Sequence, residues 1–143
     1  MGLLDKLIGR KEQPSQGGLQ YRLVGASCKD TVIVVGTEYR QAVVDAAARQ
    51  MSGGEVLALL RAEPSNPHDA HAVRVELLGQ VVGYLSSFQA RKYEPAIALA
   101  AQHGELVAAR AFAFDHAGST ALKLCLPAPA VVLRELGGAY GAM

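Results

Sequence analysis

The chain has 143 residues, a length that suits one domain able to bury a core without help from disulfides. Half of its residues are hydrophobic and 19% are charged, an ordinary globular composition, and the formal net charge is only +1. This balance excludes a protein that coats long stretches of duplex through a strong basic excess, and it leaves room for a small nucleic-acid footprint such as a strand end.

The N-terminal "MGLLDKLIGRK" has no apolar stretch of secretory length, and no apolar run in the chain approaches the ~20 residues that span a bilayer. Leu3, Leu4, Leu7 and Ile8 would share one face of a short helix, suited to docking on a partner. "GRKEQPSQGG" is polar and rich in Gly, Pro and Gln, so residues 1–18 read as a flexible segment ahead of a domain at 19–127. Cys28 and Cys125 form no CxxC and give no zinc-ribbon signal; they read as reduced thiols of a cytoplasmic protein.

"LQYRLVGAS" alternates, with Leu19, Tyr21 and Leu23 on one side of a candidate edge strand. "TVIVVGTEY", residues 31–39, is a continuous β-branched run and predicts a buried strand. "RQAVVDAAARQM" is helical in propensity and meets Gly53 and Gly54 as C-cap residues. "EVLALLRAE" is the next strand. "HAVRVELLGQVVGYLS" predicts a hairpin turning at Gly79, with Val73, Val75 and Leu77 on one face and Arg74 and Glu76 on the other. Ser86 followed by Gln89 has the form of a capping box, so a helix starts near 87. Pro95 demands either a short turn with a new helix beginning at 95 or a kinked helix.

"ELVAARAFAFD" and "TALKLCLP" predict a final strand pair joined by "DHAGS", with Leu122, Leu124 and Leu126 in alternation. Residues 128–143 read as a C-terminal tail. No helix follows every strand, so a parallel Rossmann sheet is unsuited. The order predicts an α+β, mainly β fold: a small OB-like antiparallel β-barrel with two helical segments.

The densest polar cluster is "RAEPSNPHDAHAVRV", residues 61–75, where two prolines break a strand and Asn66, His68, Asp69 and His71 follow within one turn. A plain reading makes Asn66 and Asp69 turn residues that bond their own backbone. A metal reading would use His68, Asp69 and His71, with His103, His116 and the two cysteines as further donors and zinc as the ion. Odd spacing in an extended segment sends side chains to opposite faces, and no HExxH or CxxC supports it. Ser52, Ser86, Ser87 and Ser119 lack a GxSxG context, and no phosphate loop is present, so enzyme activity is not expected. Binding remains: Tyr39 and Arg40 end one strand and Tyr84 sits in the hairpin arm, and rings beside cations suit unpaired bases and phosphates.

"VVGTEYRQ", "LLRAEPSNPHDAHAVRVE" and "GQVVGYLSSFQA" together resemble the HIRAN domain family in order and spacing, over about residues 31–126. HIRAN domains stand alone in bacteria or are fused to helicase-like and nuclease modules. The resemblance implies an OB-like barrel that holds the 3′ end of single-stranded DNA, as one DNA-binding member does, in DNA repair or processing beside a helicase or nuclease. It implies stacking by Tyr39 and by His68, which stands where the family often has a tyrosine, and a pocket role for Asn66. Asp69 would accept from the terminal sugar hydroxyl. Glu38 and Ser87 stand where that member has an arginine and a lysine; Arg40, Arg91 and Lys92 are the cations available nearby. Phe112 or Phe114 stands in for a last stacking aromatic. The competing readings are a protein-interaction module and a metal-dependent hydrolase acting on nucleic acid or acid anhydrides.

Overall fold

The computed structural model describes residues 20–26, 29–51 and 56–141. Segment 1–18, Leu19, Gly53 and Gly54 lie outside the described residues. The elements are β1 (Gln20–Leu23), β2 (Thr31–Ile33), a 3-10 turn (Thr37–Tyr39), α1 (Gln41–Met51), β3 (Val56–Ala62), β4 (Val73–Leu77), β5 (Gln80–Tyr84), α2 (Ser87–Gln102), β6 (Glu105–His116), β7 (Ser119–Cys125) and α3 (Pro129–Tyr140).

The strands form one sheet in the order β2-β7-β6-β3-β4-β5, antiparallel throughout, with β1 added in parallel along β6. The sheet curls into the half-barrel that an OB-like fold requires. Alternation drives the curl's inner face: Leu60, Val73, Val75, Leu77, Leu122 and Leu124 are buried there. At 25 cal/mol per Å², each such side chain contributes roughly 1.5–3 kcal/mol on leaving water. The β4–β5 hairpin turns at Leu78 and Gly79, both with positive φ, the pairing that matches strand twist. Past the turn, Glu76 faces Val81 while Val75 faces Gly83, so Val82 is an extra residue, a bulge that bends β5 inward.

That bend brings the two ends of the curl together. Val35 and Tyr84 exchange both backbone hydrogen bonds, at 2.8 and 2.9 Å, and form a single bridge between the β2 end and β5. Gly83 permits the approach: a Cβ there would lie 2.5 Å from the Val35 carbonyl oxygen and 2.7 Å from Val34 Cγ1.

Helices cover the inner face. α1 buries Val44 and Ala47, and α2 buries Ala90, Tyr93, Ile97 and Ala100 at helical spacing. Ser86 caps α2 as its sequence signature predicts, its side chain accepting from Gln89 N at 3.2 Å. Pro95 neither starts nor breaks a helix: α2 is continuous from Ser87 to Gln102. The proline is exposed, and the carbonyl it leaves unbonded belongs to exposed Arg91, where water can take the lost bond.

Three further expectations change. Residues 31–39 are not a continuous buried strand. Only Thr31–Ile33 is extended, and burial alternates, with Val32 and Val34 inside and Ile33 and Val35 exposed. The reason is position: β2 is an edge strand with one covered face. Residues 128–143 hold a third helix, α3, beside the two the sequence predicts, with Pro129 at its start and Val132 and Leu136 fully buried. The reduced-thiol reading does not hold, because Cys125 is disulfide-bonded; Cys28, the other cysteine of the chain, lies outside the described residues. Thr31 pairs with Cys125 across β2 and β7.

In β1, Tyr21 is buried against Leu59 and Ala108, while Leu23 is exposed at the strand end. Among the described residues no helix is long and apolar enough to cross a membrane.

Candidate nucleic-acid interface

Three segments meet at the Val35–Tyr84 seam: the turn Gly36–Arg40, the loop from Glu63 to Ala72, and the end of β5 entering α2. Glu63 organises them. Its carboxylate accepts from Asn66 Nδ2 at 2.9 Å, from Arg74 Nη1 at 3.1 Å and from the Tyr84 hydroxyl at 3.1 and 3.2 Å. Burial pushes the Glu63 carboxyl up, but the bonds from Asn66, Arg74 and Tyr84 outweigh it and hold it below the ordinary carboxylate range. Burial and the charge of Glu63 push the Tyr84 phenol up, so it stays a neutral donor. Arg74 also reaches Glu76 at 2.6 Å, and Arg61 reaches the same oxygen at 3.1 Å.

The loop is folded by its own side chains. Asn66 Oδ1 accepts from the backbone N–H of His68 at 2.8 Å and of Asp69 at 3.1 Å. Asp69 Oδ1 accepts from His71 N at 2.9 Å. Backbone bonds from Asn66 N to Glu63 O and from Ala72 N to Asp69 O complete a two-step turn. The turn reading of Asn66 and Asp69 holds here. One oxygen of Asp69 shapes the turn, and Oδ2 has no hydrogen-bond partner among the described residues. Asn66 spends its oxygen and one N–H inside the loop, which keeps a single N–H for a ligand.

The remaining sequence-singled residues surround this turn. Tyr39 closes the 3-10 turn and is 83% exposed. Arg40 is exposed, pairs with no carboxylate among the described residues, and lies close enough to Tyr84 to favour its ionised form slightly. Glu38 and His68 are exposed. Ser87, exposed, is the first residue of α2. Tyr84 is less available than its sequence position implies, since its hydroxyl is committed to Glu63. The His71 Nδ1 meets the Glu94 carboxylate of α2 at 2.9–3.0 Å, beside a cleft of about 160 Å³ lined by Pro64, His71, Glu94 and Ile97. Among the described residues no three His, Cys, Asp or Glu side chains are grouped to hold a metal.

Sequence reasoning missed three participants. Glu63 and Arg74 acquire their roles only when β3, β4 and β5 lie side by side. Phe88 is 66% exposed one position after Ser87, with Lys92 Nζ 4.5 Å from its ring centroid. A helical projection would have flagged it, because 88 and 92 fall off the buried stripe 90, 93, 97, 100. The register also places Phe112 and Phe114 together on the outer face of β6.

The curled β-sheet, covered by helices on one face, carries a polar turn and exposed rings at its seam. The chain belongs to the HIRAN domain family, whose model matches residues 31–113, more than half of its length. HIRAN domains are nucleic-acid-binding modules rather than catalytic domains. Searches of curated proteins and of solved structures returned no significant match.

Proposed function

We propose that this chain binds single-stranded DNA at its 3′ end and recognises the free hydroxyl there. One observation carries the reading: Asp69 is fixed through one carboxylate oxygen by its own turn, while its second oxygen has no hydrogen-bond partner among the described residues. A carboxylate accepts strongly from a sugar hydroxyl and repels a phosphate at the same place. Tyr39 and His68 supply flat faces for the last bases, and Arg40, Arg91 and Lys92 supply charge for the backbone. Such a module suits DNA repair or end processing, working beside a helicase or a nuclease in the cytoplasm.

The test compares one short oligonucleotide ending in a 3′-hydroxyl with the same strand ending in a 3′-phosphate, by fluorescence anisotropy with a 5′ label. The hydroxyl form is expected to bind about tenfold tighter or more, from repulsion between two close anionic groups. Asp69→Ala removes the discrimination. Tyr39→Ala weakens both strands by roughly 1–3 kcal/mol, one lost base stack. Equal affinity of the native chain for the two ends, or binding to neither, rejects the reading. Loss of a protein partner with DNA binding untouched would favour an interaction module.

A further inference from the structure

Beside the turn that carries Tyr39, one side chain takes the place of a strand residue. β2 pairs with β7 as Thr31 with Cys125, Val32 with Leu124 and Ile33 with Lys123, and Val34 N donates to the Leu122 carbonyl at 3.0 Å. The same register continued would set Gly36 opposite Thr120. The chain instead leaves β7 there, with φ of 86° at Gly36, and enters the 3-10 turn Thr37–Tyr39. Gln41, the first residue of α1, occupies the position on the ladder that Gly36 gives up. Its Oε1 accepts from Thr120 N at 3.0 Å and its Nε2 donates to the Thr120 carbonyl at 2.9 Å, the pair of bonds that a neighbouring strand would make. The other N–H of Nε2 donates to Thr37 O at 2.9 Å.

These bonds decide where the turn stands. Tyr39 N donates to Gly36 O at 3.2 Å and Arg40 N to Thr37 O at 3.0 Å, so the Thr37 carbonyl holds both Arg40 and the Gln41 amide. Tyr39 and Arg40 are exposed, and the backbone that bears them is tied to β7 through Gln41. Few side chains could replace it. Asn is one methylene short, Glu has no N–H and would face two carbonyl oxygens, and Met has the length without the polar atoms. Gln41 and Thr120 are only half-buried, so water can take the bonds that a substitution frees and the fold survives the change.

We infer that Gln41 is a positioning residue of the end site: it touches no nucleotide and acts by holding Tyr39 and Arg40 where a base and a phosphate meet them. The inference rests on the 3′-end reading above and names the side chain that pre-organises its stacking arm. A ring on a loosely held turn must be ordered at the moment of binding, and that ordering lowers affinity. Gln41 orders the turn beforehand.

Anisotropy titrations of the full chain test it, with 5′-labelled octamers ending in a 3′-hydroxyl or a 3′-phosphate. Gln41→Met is expected to weaken both octamers about fivefold or more, the value of one base stack. The preference for the hydroxyl end, which belongs to Asp69, stays at about tenfold. The slope of log affinity against log salt falls by about 0.7, the phosphate contact of Arg40 on a single strand. Added to a chain that already carries Tyr39→Ala and Arg40→Ala, Gln41→Met brings no further loss, since the groups it positions are gone. Melting temperatures show which variants fold; should Gln41→Met not fold, Gln41→Asn keeps the amide, falls short of the carbonyls and gives the same readouts.

A glutamine with a structural role alone would lower the melting temperature and leave the affinity of the folded protein unchanged. That result, or a further loss on top of the Tyr39→Ala and Arg40→Ala pair, overturns the positioning role while end recognition stands on the hydroxyl preference. Loss of the hydroxyl preference together with affinity marks a general loosening and overturns it as well. If the variants behave as expected but the native chain treats the two termini alike, the positioning role stands and hydroxyl recognition falls. Binding of neither octamer overturns both.

Discussion

Two carboxylates in this molecule have nearly the same neighbours and different consequences. Glu105, at the start of β6, accepts from Arg22 at 3.0 and 3.1 Å and from the Tyr140 hydroxyl at 2.7 Å. Glu63 accepts from Arg74, Tyr84 and Asn66 at similar distances. In both places burial pushes the carboxyl up and the donors outweigh it, so both stay ionised below the ordinary range. Both tyrosines are pushed up in turn, Tyr140 to about 12.

The difference lies in the partner that Glu63 has beyond an arginine and a tyrosine. Tyr140 stacks on His103 at 3.9 Å with Arg22 over its other side at 5.4 Å, so the Glu105 cluster is a lock joining β1, β6 and α3. The third partner of Glu63 is a turn residue whose remaining atoms shape the loop around Asp69. An arginine and a tyrosine on a carboxylate make a fastener where both stand on regular elements, and the added Asn66 ties the same pair to a loop.

The largest expected effect is on the seam beneath the Glu63 cluster. Gly83→Ala forces a Cβ to within 2.5 Å of the Val35 carbonyl and is expected to cost about 3 kcal/mol, at the upper end for overpacking. Chemical denaturation measures it; a loss under about 1 kcal/mol would mean that the bridge does not close the curl.

The carboxylates themselves come next. Glu63→Gln leaves Arg74 with Glu76 alone and Glu105→Gln removes the Arg22 pair, and each is expected to cost about 1–2 kcal/mol in urea melts. Only Glu63→Gln is expected to weaken oligonucleotide binding as well. Equal loss of binding in both variants would erase the distinction between fastener and site.

Acid sharpens the comparison further. Both groups have folded pKa values below the reference 4.5, so their stabilisation is complete above pH 4.5 and is lost as pH falls through the lower folded values. Each Gln variant is expected to flatten that acid limb of the stability profile.

The smallest effect belongs to Tyr140. Its raised value stabilises the fold below pH 10, and the contribution declines as pH rises from 10 towards about 12. Tyr140→Phe is expected to cost under about 1 kcal/mol at neutral pH and to remove that alkaline decline.

How much of this was legible in the sequence follows the range of the forces involved. Val73, Val75 and Leu77 announced β4 because period-two burial is local, and Ser86 announced α2 because a cap is three residues long. Asn66 and Asp69 were legible as turn formers for the same reason. The run 31–35 misled because β-branching says strand without saying edge. α3 was hidden by the paired Gly137 and Gly138, poor helix formers rescued by the burial of Val132 and Leu136. Glu63 could not be seen as a hub, since its partners Arg74 and Tyr84 lie 11 and 21 residues away on other strands.

Among the described residues a single bridge stitches the curl shut, and it adjoins the turn that would seat a strand end. Breathing of the barrel should begin there, where two amide protons guard the opening. A ligand reaching from Tyr39 to Asp69 spans the gap like a staple, so occupancy slows solvent exchange at the Val35 and Tyr84 amides more than at any amide of the β3–β6 ladder. On the proposed reading, binding and barrel closure would form one equilibrium, readable without a label on either partner.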